Sequence, residues 1–207
     1  MVLKKTLFLI LICGAVSLYF AFSSPVVMAK LADLSGNNQS SLYVFCMDRI
    51  YSNIRCNSDK YSKYLNNYNG GLLASTWLRI LSVSGNPSTA EIIQIKLQKA
   101  VLTDDKPMFL TSYIQAAGSL GLKSSKDALF KIAENEEKFN YPERAFAITT
   151  LFYLDGKNYG KDLGREYIVD DVMRNARKAI LESEGKCRTP EQMITIDQRY
   201  RAPESGG

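Results

Sequence analysis

The chain is predicted to be all-α, a short α-solenoid of stacked antiparallel helical hairpins that follows an N-terminal signal segment. Three observations predict this. Apolar residues recur at three- and four-residue spacing through most of the sequence. Glycines close several of these runs, as helix C-termini favour. And three features repeat at an offset of 35 residues: Pro107 and Pro142, Gly121 and Gly156, Lys126-Asp127 and Lys161-Asp162.

Of the 207 residues, 46% are hydrophobic and 23% charged, which suits a globular chain rather than a disordered one. Residues 1–29 read as a targeting segment: Lys4 and Lys5, then an apolar run from Thr6 to Phe22 broken by Ser23-Ser24-Pro25. Cleavage after Ala29 makes it a signal peptide; retention makes it a membrane anchor, although a 17-residue run is at the short edge for a span. Either way the rest of the chain is expected outside the cytoplasm, in the periplasm or at the cell surface, because the lysines stay inside. Losing Lys4 and Lys5 lowers the formal charge from +5 to +3, far from the dense basic stripe that nucleic acid requires.

Residues 30–40 (KLADLSGNNQS) are expected to be a flexible lead-in, residues 41–188 the helical repeat domain and residues 189–207 a C-terminal tail, in which Met193, Ile194 and Ile196 are placed to pack back on the body. Leu42, Cys46, Ile50 and Ile54 recur every four residues and predict an amphipathic helix. Ser58 caps a short second helix ended by Gly70-Gly71. In the next helix, Leu73, Trp77, Ile80, Leu81 and Ser84 share a face, and Gly85 and Pro87 stop it. Ser88 or Thr89 then starts a helix carrying Ile92, Ile93, Leu97, Ala100 and Val101.

From Pro107 the repeat sets in. Each proline suits a first helical turn, each glycine a left-handed helix end, and each Lys-Asp the first turn of a second helix. One unit spans Pro107 to about Lys138, the next Pro142 to about Glu184, and Leu72 to Leu102 is a degenerate first copy whose Gly85 lies 36 residues before Gly121.

Three cysteines follow the targeting segment: Cys46, Cys56 and Cys187. Cys46 and Cys56 cannot pair within one straight helix, because ten residues span about 15 Å and bridged Cα atoms lie within about 7 Å. Either they occupy different elements, or one pairs with Cys187. The loop-like neighbours of Cys56 and Cys187 favour that pairing, leaving Cys46 as a buried thiol in its apolar stripe.

The run SYIQAAGSLGLKSSKDALFKI resembles a HEAT-type helical repeat. Ala116, Ala117, Leu120 and Gly121 carry the end of the first helix, and Ala128, Leu129 and Ile132 the apolar spacing of the second. The resemblance covers at most Leu72 to Glu184. Tetratricopeptide repeats, at 34 residues, fit less well, since Phe130 and Glu137 fall where small residues belong. The HEAT-type resemblance implies a curved solenoid that binds other proteins and carries no chemistry or cofactor.

The absence of histidine removes Ser-His-Asp and Cys-His catalysis and most zinc or copper sites. No phosphate-cradling glycine loop follows a strand. Carboxylates cluster at Glu134, Glu136 and Glu137 and again at Glu166, Asp170 and Asp171, but Arg165, Arg174 and Arg177 sit nearby to pair with them. Tyr61, Tyr64 and Tyr68 form a helical stripe, fit either to meet a partner or to pack on the first hairpin. Arg174, Arg177, Lys178, Lys186 and Arg188 form a basic set that either meets an acidic partner or stabilises a helix C-terminus.

These readings point to an exported, non-catalytic protein-binding module, a scaffold or adaptor of the bacterial cell envelope. Tyr61, Tyr64, Tyr68, Glu166, Asp170, Arg174 and Arg177 are the candidate partner-binding residues, and Cys56 and Cys187 the candidate disulfide. The alternatives are an immunity-type inhibitor of a cell-wall-degrading effector and a glycan enzyme built on a carboxylate pair. No cofactor, metal or nucleic acid is implied.

Overall fold

In a computed structural model of the chain, residues 23–35, 40–54, 61–66, 72–162 and 168–201 are described. They are all-α, with no strand among the described residues. Two compact units divide after Ile54.

The first unit pairs α1 (Pro25–Leu34) with α2 (Ser41–Asn53). Residues 30–34, expected to be flexible, are therefore helical, and the expected cleavage position at Ala29 lies inside α1 with its side chain fully buried. The Ser40 hydroxyl caps α2 by accepting from the Tyr43 amide at 3.1 Å. The buried stripe of α2 is Tyr43, Cys46, Met47, Ile50 and Tyr51, while Leu42 is exposed. A strict four-residue row drifts around a 3.6-residue helix, whereas alternating three- and four-residue steps hold one face.

The second unit begins with the single turn α3 (Lys63–Asn66) and continues as stacked helix–turn–helix repeats, whose sequence neighbours pack most closely where residues 103–109 and 135–140 join them. The first helices are α4 (Leu72–Val83), α6 (Leu110–Leu120) and α8 (Tyr141–Asp155). The second helices are α5 (Ala90–Leu102), α7 (Lys126–Glu134) and the single turn α9 (Tyr159–Asp162). α4 packs on α6 and α6 on α8; α5 packs on α6 and α7, and α7 on α8. Ile93, Leu97, Ile114, Leu129, Ile132, Ile148 and Leu151 join one continuous core. Hydrogen bonds spanning 35 to 37 residues tie each hairpin to the next: Thr150 Oγ1 donates to the Ile114 carbonyl, Lys138 Nζ to Thr103, and the Ser75 and Ser112 hydroxyls meet. The sequence offset thus equals one step of the stack.

The repeat signals keep their roles unequally. Gly85, Gly121 and Gly156 all adopt positive φ at the ends of the first helices, the conformation that non-glycine residues avoid. Pro142 lies in the first turn of α8, where Asn140 and Glu143 form a reciprocal capping box. Pro107, by contrast, precedes α6 by three residues, and Phe109 at φ 59° starts that helix. The positions equivalent to Asn140 and Glu143 are Asp105 and Met108, and methionine cannot close a capping box. Lys126-Asp127 opens α7 as expected, but Lys161-Asp162 closes the short α9. Gly160 within it lowers the local helix propensity. Nor does the unit expected to run to about Glu184 close on a single helix: residues 168–170 are non-helical, and α10 (Asp171–Glu182) is a new element capped by Asp170.

The expected C-terminal tail is a helix through Arg201. This helix, α11 (Pro190–Arg201), packs on α10 and crosses the first-helix layer. Arg79 of α4 donates to Asp197 of α11 at 2.6 Å, and the carboxylate has no exposed surface. Arg199 donates to the Gln115 carbonyl and the Ser119 hydroxyl of α6, and its guanidinium lies 4.4 Å over the Tyr153 ring of α8. Gly118 on α6 permits this approach: a Cβ there would stand 3.1 Å from Arg199 Nη1.

Two predictions follow from these contacts. Asp197→Ala removes the buried carboxylate that Arg79 engages and is expected to cost about 3–5 kcal/mol in urea unfolding, whereas Arg79→Met with Asp197→Leu recovers most of the loss. At the end of α8, Asp155 is partly desolvated, which raises its pKa, but bonds from Lys126 at 2.7 Å and the Tyr159 hydroxyl at 2.6 Å outweigh this and hold it below the usual value. The lowered folded value means that the carboxylate stabilises the fold above the ordinary carboxylate range and that this is lost as pH falls through the folded value. Asp155→Asn should therefore lower the urea midpoint at pH 7 and converge with the parent chain at strongly acidic pH.

Candidate functional site

The C-terminal segment determines which surfaces of the second unit remain open. α10 and the loop after it run along the row of turn glycines. Arg177 packs over Gly156, Ile180 over Gly121 and Arg188 over Gly85, the three hairpins taken in reverse order. Arg177 Nε donates to the Phe152 carbonyl at the end of α8. Arg188 Nη1 donates to the Ser82 and Val83 carbonyls at the end of α4, at 3.0 and 2.8 Å, and its Nε donates to the Ser183 hydroxyl. Each guanidinium thus occupies the electronegative C-terminal end of another helix, where the last-turn carbonyls and the helix dipole favour a cation.

Two concave places result. The first is a groove of about 350 Å³ between α5 and α7. Leu97, Val101 and Ala128 line it together with Gln94, Gln98, Asp127 and Lys131. Leu102 at its edge is 77% exposed, and Ile95, two helical turns earlier on α5, is 54% exposed.

The second is a cavity of about 600 Å³ on the turn side. Its walls are Gly85, Pro87 and Ala90; Leu120 to Lys123; Tyr153 and Leu154; and Ile180, Leu181 and residues 183–188. Arg188 in its wall is 7% exposed. Burial, followed by the nearby Arg199 guanidinium, pushes the Arg188 pKa down to about 10, against a smaller opposing effect of Tyr200. Burial also disfavours charge on Arg199, but the Tyr200 and Tyr153 groups outweigh it and raise its pKa.

Each candidate partner-binding residue within the described residues has a contact inside the chain. Tyr61 and Tyr64 stack on Trp77, with ring centroids 5.2 and 4.8 Å away. Tyr68, Glu166 and Cys56 lie outside the described residues. Asp170 accepts from the Met173 amide as the cap of α10, so its carboxylate holds a helix start. Arg174 is exposed beside Asp171 at 2.8 Å, and Arg177 is the cap on α8. Buried Cys46 is a free thiol whose pKa burial raises, whereas Cys187 is not among the free thiols. Glu136 pairs with Arg144 across an exposed surface. Among the described residues no group of three His, Cys, Asp or Glu converges to hold a metal, and no helix is long and apolar enough to cross a membrane.

Arg79, Asp197 and Arg199 were not singled out by sequence spacing, because their partners lie 80 to 118 residues away. The basic set containing Arg177 and Arg188 was visible, and so was its affinity for helix C-termini. The helices concerned could be identified only in three dimensions.

Gly85→Ala places a side chain at φ +77° and 3.3 Å from Arg188 Nε, and is expected to destabilise the chain by about 1–2 kcal/mol, read by urea unfolding. Tyr64→Ala uncovers one side of Trp77, the single tryptophan, and should shift its fluorescence emission to longer wavelength. No family model, curated protein or solved structure matches the chain.

Proposed function

We propose that the chain is a non-catalytic protein-binding module of the bacterial cell envelope, a short HEAT-like solenoid that its N-terminal segment exports. The observation that carries this reading is the unequal covering of the hairpin stack. α11 crosses the first helices and α10 crosses the turns, while the groove between α5 and α7 stays open beside exposed Ile95 and Leu102. An apolar floor with a glutamine and charged rim is the composition of a protein contact surface. A stack of hairpins also offers it on rigid helices, which limits the ordering cost of association. The partner presents an apolar side chain to Val101 and Leu102 and polar groups to Gln94, Gln98 and Lys131.

An exported chain meets oxidants, and the reading includes a Cys56–Cys187 disulfide, supported by the contrast between free Cys46 and engaged Cys187.

The test is affinity capture of the full chain from its own cell envelope, with mass spectrometry of what is retained. The parent chain should retain a specific protein that Leu102→Glu and Lys131→Glu each release. Both positions are exposed, so unchanged circular dichroism is expected. A retained protein indifferent to both substitutions would remove the groove from the reading.

A further inference from the structure

The turn-side cavity has a composition that protein docking does not explain. Arg188 is 7% exposed, yet neither it nor Arg199 has a carboxylate within ion-pair distance among the described residues. Asp197, which has no exposed surface, is already engaged by Arg79. Arg188 spends Nε on Ser183 and Nη1 on two carbonyls, and Nη2 has no hydrogen-bond partner among the described residues. Carbonyls satisfy donors but do not neutralise a charge, and a buried cation without a counter-charge is unfavourable by several kcal/mol. Two more cations, Lys123 and Lys186, stand at the rim. Lys123 is matched by Glu184 at 2.8 Å, and Lys186 has no ion-pair partner among the described residues. Pro87, Leu120, Leu154, Ile180 and Leu181 give the wall an apolar stretch beside the polar Tyr153, Ser183 and Glu184, the last of these matched by Lys123. A volume of about 600 Å³ is in the range of small-molecule sites.

We propose that this cavity binds a small amphiphilic anion, a carboxylate or phosphate carried on a short apolar chain, with the anionic head on Arg188 Nη2 and Lys186 and the chain along Leu120, Leu154 and Ile180. A guanidinium N–H to an oxyanion is a charge-assisted hydrogen bond, about twice as strong as a neutral one. Here it also supplies the missing counter-charge. The apolar wall selects against a bare inorganic anion, which water solvates better than the cavity does. The site is separate from the α5/α7 groove, so it can be present or absent independently of the protein partner.

The experiment is isothermal titration of the full-length chain with octanoate and octyl phosphate below their micelle thresholds, beside octanol and inorganic phosphate. At least one of the two anionic amphiphiles should bind one to one, at least tenfold tighter than octanol and than inorganic phosphate. Arg188→Gln should abolish binding. Because Arg188 also caps α4, Lys186→Glu, an exposed change at the rim, provides the fold-neutral counterpart and should weaken binding at least fivefold. Octanol or inorganic phosphate matching the amphiphiles, binding unchanged by Lys186→Glu, or no heat with either amphiphile would each overturn the proposal.

Discussion

The ion pair between Arg79 and Asp197 joins residues 118 apart in sequence, with the carboxylate wholly removed from solvent. Inside a protein such a pair gains little over an apolar contact, but separating it leaves a naked charge. Its effect is therefore on arrangement more than on total stability. It keeps α11 on the first-helix layer and in register with Arg199, whose contacts reach α6 and α8. Once α11 is held there, α10 must run back along the turns, and the free surfaces of the stack are decided.

Along those turns a single device recurs. A glycine in the left-handed conformation ends the first helix of each hairpin, and a side chain from the C-terminal segment closes over it. Where that side chain is arginine it also satisfies the terminal carbonyls, as Arg177 does for Phe152 and Arg188 for Ser82 and Val83. Glycine serves twice in this arrangement: it supplies the backbone angle, and it leaves the space into which a flat guanidinium fits.

The all-α class, the hairpin period and the glycine ends were legible because each is a local property of the sequence. The spacing of Ile93, Leu97 and Ala100 reports the buried face of α5 directly, and a 35-residue offset is one step of the stack. The start of α6 was not legible from Pro107, because the capping box that fixes α8 depends on Asn140 and Glu143 and has no counterpart one repeat earlier. α11 was read as a tail because PEQMITIDQRYR mixes apolar and charged residues on its inner side. Ile196, Asp197 and Arg199 face inward only because Arg79, Gln115 and Tyr153 receive them. For the same reason the tyrosine stripe offered two meanings in sequence, and stacking on Trp77 gives Tyr61 and Tyr64 an interior one.

The place of α11 after the repeats it fastens has a consequence for folding. A repeat array is ordinarily suited to vectorial folding, each hairpin docking on the one made before it. Here Asp197 and Arg199, which fasten the stack, follow every one of those helices in sequence and are made after them. Until they arrive, the Asp197 carboxylate is missing from Arg79, and the Arg199 contacts to α6 and α8 are missing too. The helices made first therefore gain their last cross-links only when α11 docks, so the stack is completed from its C-terminal side rather than hairpin by hairpin.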